Sequence, residues 1–454
     1  MNVGACLARH RFFSVVEGPP MARLCLLALL ISAQSFAVVA NAQGPIVGDV
    51  EGGELRAFPI AAPNARLAEN SKDKGPDADL FSRVLRADLD VSGAFQILDP
   101  KSFIDTDGLD TTEVRFEDWR NAAAQGLVKT RIAVQGTDYL IDAYIYEVAS
   151  SKQLVKKTFT FPIKDIRSAA HAVADEVFRA FTGEPGVFRT QIAVVKKVQG
   201  EKHVFIIDFD GENARQLTTG GGLNLLPSWS PDGRTIVFTS YRYDNPDLFE
   251  IGIGGGDSKP LSRRPGLNTG GRISPNGTSI AVTLSQDGNS ELYLLDRSGN
   301  VQRRLTNQWG IDTSPSWSPD ASKIAFVSSR SGHPDLYMVG VEGGPAKRLT
   351  FKGNYNQTPS FSPRGNLIAF TARDERSVFD IFTLNVGTGE VKRVTQNQGN
   401  NEEPSFSPNG RLLVFTTTRN KAKQLVISTI DGSKQTVLPS LGEHTSPSWG
   451  PFVR

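Results

Sequence analysis

A chain of 454 residues is long enough for two or more domains with sizeable cores. Its formal charge of only +2 supplies no global field toward nucleic acid or anionic membrane, so electrostatic nucleic-acid binding loses its main support. Its 43 glycines, with few helix-forming runs beyond residue 185, point to strands and turns over most of the chain.

The first segment reads as an address. Arg23 precedes the apolar run 24–30, Ala33 and Ala37 follow, and Ala40-Asn41-Ala42 has the small-x-small pattern of a signal-peptidase site. Residues 1–42 are therefore expected to be a secretory signal cleaved between Ala42 and Gln43, with Met21 as a second candidate start. The competing reading is a short buried helix. As a membrane span the run is too short, and Ser32, Gln34 and Ser35 interrupt it. Cleavage removes both cysteines, Cys6 and Cys25, and with them any disulfide, thiolate nucleophile or Cys metal site. It also removes Arg9, Arg11, Arg23 and Glu17, which leaves basic and acidic side chains in balance.

Residues 43–185 carry no repeat and read as an α/β domain. The first forty, rich in Gly, Pro and Ala, look poorly packed. Ile46, Val47, Asp49 and Val50 form a short exception that could add as a strand to a partner. Leu80, Val84, Leu85 and Leu89 recur at helical spacing, and a strand follows at 95–98. Strands are expected around 132–134, 139–148 and 154–161. Ile166, Ala170, Val173, Val177 and Phe181 then mark a helix over 164–182, which Thr182-Gly183 and Pro185 stop.

From residue 186 to 454 a repeat takes over. PSWSPDG at 227, GRISPNG at 271, PSWSPDA at 315, PSFSPRG at 359, PSFSPNG at 404 and PSWGPFV at 447 mark six units. Their second prolines are spaced 44, 44, 44, 45 and 43 residues apart, the period of a four-stranded propeller blade. The ends of the array do not match. Residues 190–219 lack a first strand, while Ser446-Pro447-Ser448-Trp449 is a first strand with no blade after it. The two complement each other, so the expected fold is an α/β N-terminal domain plus an all-β six-bladed β-propeller closed by the C-terminal strand. Trp229, Ile273, Trp317, Phe361, Phe406 and Trp449 share one register position and are expected to wedge between blades. Asp232 and Asp320, inside the Pro-Asp turns, are read as turn formers.

No chemistry-bearing motif emerges. Gly-x-Ser-x-Gly, His-Glu-x-x-His, Walker and dinucleotide-binding patterns are all lacking from the sequence, so no catalytic residue, metal ligand or cofactor is assigned. One constellation stands out: Asn224, Asn268, Asp312, Asn356, Asn401 and His444 recur three residues before the first-strand proline position. Loops entering the innermost strands ring one mouth of a propeller, so these six are candidate partner contacts, with Thr269, Thr313, Gln357 and Glu402 beside them. Asn and Asp also start turns and cap loops, and both readings stay open.

A signal, a small α/β domain and six PSFSPDG-type blades closed by a last strand resemble the TolB family, periplasmic components of the Tol–Pal system. The junction from Ala170 to Val195, AHAVADEVFRAFTGEPGVFRTQIAVV, is similar to that family's passage from its last helix into the first blade. Blade repeats alone are shared with many propellers, those of oligopeptidases included. The resemblance covers nearly the whole mature chain. It implies a non-enzymatic adaptor of the periplasm that maintains outer-membrane integrity and supports outer-membrane invagination at cell division. The mouth would bind the peptidoglycan-associated lipoprotein Pal around Leu267, Asn268, Thr269, Asp312 and Thr313, giving peripheral association with the outer membrane. The N-terminal segment, which matches the family only loosely, would contact TolA and through it TolQ and TolR. Two other readings are a propeller of a secreted peptidase or hydrolase, and a propeller that binds a glycan or a channel metal.

Overall fold

The computed structural model describes residues 57–104, 108–373, 375–439 and 442–452. The signal with its Ala42–Gln43 junction, and the segment with Ile46, Val47, Asp49 and Val50, lie outside them.

The N-terminal domain contains β1 (Phe58–Ala61), β2 (Arg66–Leu67), α1 (Gly75–Val91), β3 (Phe95–Ile97), α2 (Phe116–Asn121), β4 (Gly126–Gln135), β5 (Asp138–Glu147), β6 (Lys152–Pro162) and α3 (Ile166–Thr182). Its sheet runs β3-β1-β4-β5-β6, with β1 parallel to both neighbours, the β4-β5-β6 meander antiparallel, and β2 beside β4. Residues 57–82 are thus not poorly packed. β1 sits inside the sheet, and Ile60 and Ala61 face opposite cores, so this short strand buried on both sides shows no alternation to read. Period-2 alternation is clear in β5, where Tyr139, Ile141, Ala143 and Ile145 face α1 and α3 while Tyr144 and Tyr146 face Phe116 and Trp119. α3 ends at Gly183, whose φ of 73° lets its N–H reach the Arg179 carbonyl at 2.9 Å.

Six four-stranded antiparallel sheets form the propeller. Blade 1 is Gln191–Val198, Glu201–Asp208 and Arg215–Gln216, and its inner strand is His444–Trp449. Blades 2 to 6 open with the inner strands Asn224–Trp229, Asn268–Ile273, Asp312–Trp317, Asn356–Phe361 and Asn401–Phe406. The last strand does close the ring. Cores lie between blades, as one example shows: Ala281, Leu292 and Leu305 of blade 3 enclose Trp317, Ile324 and Phe326 of blade 4. The indole N–H of Trp317 donates to the Arg272 carbonyl one blade back at 2.8 Å, and that of Trp229 to the Ser448 carbonyl at 3.0 Å. The wedge residues therefore fix spacing by apolar area and by a hydrogen bond. In the Pro-x-Gly turns, Asp232 accepts from Ser230 Oγ and the Arg234 N–H, and Asp320 from Ser318, which confirms their turn role.

The N-terminal domain packs on the face that carries these turns. Glu184 accepts from Arg364 and Arg411, at 2.5 and 2.7 Å, beside the turns of blades 5 and 6. Lys434 pairs with Asp90 at 2.6 Å. A buried charge cluster links α1, α3 and blade 1: His171 lies 2.6 Å from Asp88 and 3.3 Å from Asp210, which also holds Arg167. Burial opposes charge on His171, yet its hydrogen bonds to Asp210 and Asp88 outweigh this and carry its pKa up to about 10. One apolar core crosses the junction, and rings step from Phe95 to Phe178, Phe188, Phe209 and Trp449 at centroid separations of 5.4–6.2 Å.

Candidate functional site

The opposite face is formed by the loops that enter the inner strands. Here the structure corrects the expectation of an exposed amide ring. Asn224, Asn268, Asp312, Asn356 and Asn401 are fully buried, and His444 nearly so. Asn268 donates to the Arg264 carbonyl at 2.7 Å and accepts from Ser262 Oγ at 2.6 Å. Asn356 and Asn401 donate to the buried carboxylates of Asp335 and Asp380, at 3.0 and 3.1 Å. Asp312 accepts from Arg330 at 2.7 Å. Burial, with the charge of Lys196, holds His444 down at about 4, so it is neutral at pH 7. These short polar side chains at strand entry bond to groups of their own loops, the geometry of loop caps.

Behind them lies a network that the residue pattern did not single out. Glu291, Asp335 and Asp380 lie at or next to the start of the third strands of blades 3, 4 and 5, and all are fully buried. Each accepts from a threonine two residues past the fourth strand, Thr306, Thr350 or Thr395, and pairs with Arg304, Arg348 or Arg393, the last residue of that strand. A satisfied buried network of this kind makes the mouth loops rigid.

Among the polar side chains of these loops, several large apolar ones are also presented to solvent. Leu223, Leu267 and Ile311 immediately precede the buried polar residues and are exposed, and Trp309, Phe351 and Tyr243 stand near them with 73, 63 and 55 % of their surface free. The backbones are pinned: Leu267 and Ile311 donate to Ser285 Oγ and Ser329 Oγ, each at 2.8 Å. Arg263 stacks on Tyr243 at 4.1 Å and Arg348 lies 5.4 Å from Phe351. The patch is an arc over blades 2 to 5, because the corresponding residues before blades 6 and 1 are Asn400 and Glu443. Thr269 and Thr313 are half-buried on its inner side, their hydroxyls 3.2 and 3.4 Å from Thr239 and Thr283. The signal was present in the sequence as an apolar residue one place before the polar one at blade spacing.

Further in, every inner strand carries a β-bulge at one register position. Leu226, Gly270, Ser314, Thr358, Glu403 and Ser446 all have φ between 49 and 69°. The bulged residues line a central channel of about 390 Å3, together with serines and the six prolines of the repeat. Among the described residues, no group of three or more His, Cys, Asp or Glu side chains could hold a metal, and no helix is long and apolar enough to cross a membrane.

Fold and site define a two-domain, closed six-bladed β-propeller whose face away from the N-terminal domain is a rigid, apolar mouth. The family model described as the TolB beta propeller domain matches residues 178–453, and that of the TolB amino-terminal domain matches residues 48–154. The chain belongs to the TolB family. The crystal structure of TolB from Acinetobacter baumannii is similar over 90 % of this chain and 98 % of that one, with 29 % identity and a TM-score of 0.77. Proteins named Tol-Pal system protein TolB from Anaeromyxobacter sp. (strain K) and Myxococcus xanthus (strain DK1622) are each 41 % identical, over 229 and 223 residues. These alignments cover 50 and 49 % of this chain and 52 and 50 % of the relatives, so the chain spans about half the length of the curated relatives it matches.

Proposed function

We propose that the protein is a non-enzymatic periplasmic adaptor of the Tol–Pal system that docks the peptidoglycan-associated lipoprotein Pal on its propeller mouth. One observation carries this reading: the exposed arc of Leu223, Leu267, Trp309, Ile311 and Phe351, held on a buried polar framework. Aromatic and arginine side chains in a rigid setting are the composition of interface hot spots, and an apolar patch of this kind on a soluble domain marks a docking surface. Thr269 and Thr313 would add polar contacts, while Asn224, Asn268, Asp312, Asn356, Asn401 and His444 hold the loops in place. In this reading the segment with Ile46, Val47, Asp49 and Val50 contacts TolA, which links the protein to TolQ and TolR. The role follows from the two surfaces: support of outer-membrane integrity and of invagination at division.

The test is co-purification from envelope extract, with wild type and a Leu267→Ser/Ile311→Ser variant compared. Wild type is expected to retain Pal, and the variant, with unchanged melting, to lose roughly 2–4 kcal/mol of affinity. Equal retention by both proteins, or recovery of neither Pal nor TolA by wild type, overturns the reading.

A further inference from the structure

Five blades place a serine at one position of the inner strand, Ser228, Ser316, Ser360, Ser405 and Ser448. The sixth places Arg272 there, and all six residues line the central channel. The guanidinium of Arg272 makes one hydrogen bond among the described residues, from Nη1 to the Pro227 carbonyl at 3.2 Å. The residue is half-buried and lines the channel. Burial lowers its pKa to about 10, which leaves it a cation at neutral pH.

The carboxylate that acts on this charge belongs to Glu403, on blade 6, half a turn around the ring. Glu403 is already committed. It accepts from the Ser446 N–H at 2.7 Å, from Ser446 Oγ at 2.9 Å and from Thr416 Oγ1 at 3.2 Å. It does not approach Arg272 within ion-pair range. The serines, by contrast, are free to donate. Ser316 Oγ accepts the Phe361 N–H at 2.9 Å and Ser405 Oγ the Trp449 N–H at 2.9 Å, so each hydroxyl proton remains available. Ser228 makes no side-chain hydrogen bond among the described residues. A guanidinium enclosed without an anion, flanked by hydroxyl donors in a cavity larger than several waters, is an oxyanion receptor.

We propose that the channel binds a small oxyanion, a carboxylate or a phosphate, against the free edge of Arg272, with Ser228 and Ser316 donating from the flanking blades. The channel lining contains none of the exposed apolar residues of the mouth.

Isothermal titration of the full-length protein with sodium acetate and with sodium phosphate, against sodium chloride at matched ionic strength, tests this. Saturable binding of one or both oxyanions is expected, and which of them binds identifies the source chemistry. Arg272→Ser completes the serine ring, so it should fold, and it should weaken binding by about tenfold or more. Arg272→Lys keeps the charge without the planar fork and should fall between. Glu403→Gln removes the opposing charge and should tighten binding. Unchanged affinity in a folded Arg272→Ser variant, or no saturable response of wild type to either anion, overturns the proposal.

Discussion

Replacing Trp449 by alanine tests ring closure and the domain junction together. The indole is nearly buried, its N–H donates to Thr190 Oγ1 at 2.8 Å, and its ring lies 6.0 Å from that of Phe209. Its backbone N–H donates to Ser405 Oγ, so the surrounding strand is held and cannot collapse into the space left behind. A buried Trp truncated in such a site costs about 3–5 kcal/mol, the hydrogen bond included. For a cooperative unit of this size that corresponds to a fall of roughly 5 °C in melting temperature. Calorimetry with far-UV circular dichroism should show a single transition that moves as one, because Trp449 belongs to the core containing Phe178 and Phe188. Trp229→Ala is the control: its indole is only half-buried and should cost less. Deleting residues 444–454 should cost more than either, since Gln191–Val198 then loses its ladder partner. A Trp449→Ala protein melting within about 1 °C of wild type, an effect below about 1 kcal/mol, would refute the reasoning.

Two further outcomes follow from the same structure. The folded-state pKa of His171 lies above its unfolded value of 6.5, so its stabilisation is fully present below that pH and is lost as pH rises through about 10. Asp88 on α1, Asp210 in blade 1 and Arg167 on α3 are the charges around it. Urea unfolding from pH 6 to 10 should show a loss of about 1–3 kcal/mol in wild type that is missing in His171→Asn; parallel profiles would count against the cluster. At Gly270, φ is +69° and an added Cβ would meet only Pro315 Cδ at 3.9 Å, so backbone strain alone decides the cost. Gly270→Val should destabilise by about 1–2 kcal/mol and Gly270→Asn by much less, read as midpoints in urea; equal effects would mean that the bulge relaxes.

The ring was legible because a fixed register converts one orphan strand and one incomplete blade into a single answer. Gly183 and the turn aspartates were legible because their backbone demands are local. β1 was not, since a short strand buried on both faces and containing Pro59 carries no period. The amides do sit where the loops enter the inner strands, but they are turned into those loops and away from solvent. Asn268 and Asn401 have the composition of a recognition residue, and only the positions of Ser262, Asp380 and Thr417 show them to be buried caps. Arg272 and Glu403 stand across one channel only after six blades are assembled. No spacing along the chain announces that.

The inner strand of blade 1 is synthesised after every other strand of the propeller. Until residues 444–449 emerge, Ile192, Ala193, Val194 and Val195 form an open, apolar strand edge, the kind that pairs with other chains. Bringing that edge to a partner some 250 residues away carries a loop-closure cost of about 5 kcal/mol, which is repaid only at the final step. Ring assembly is thereby deferred until that strand is in place, and the folding chain depends on being shielded until then.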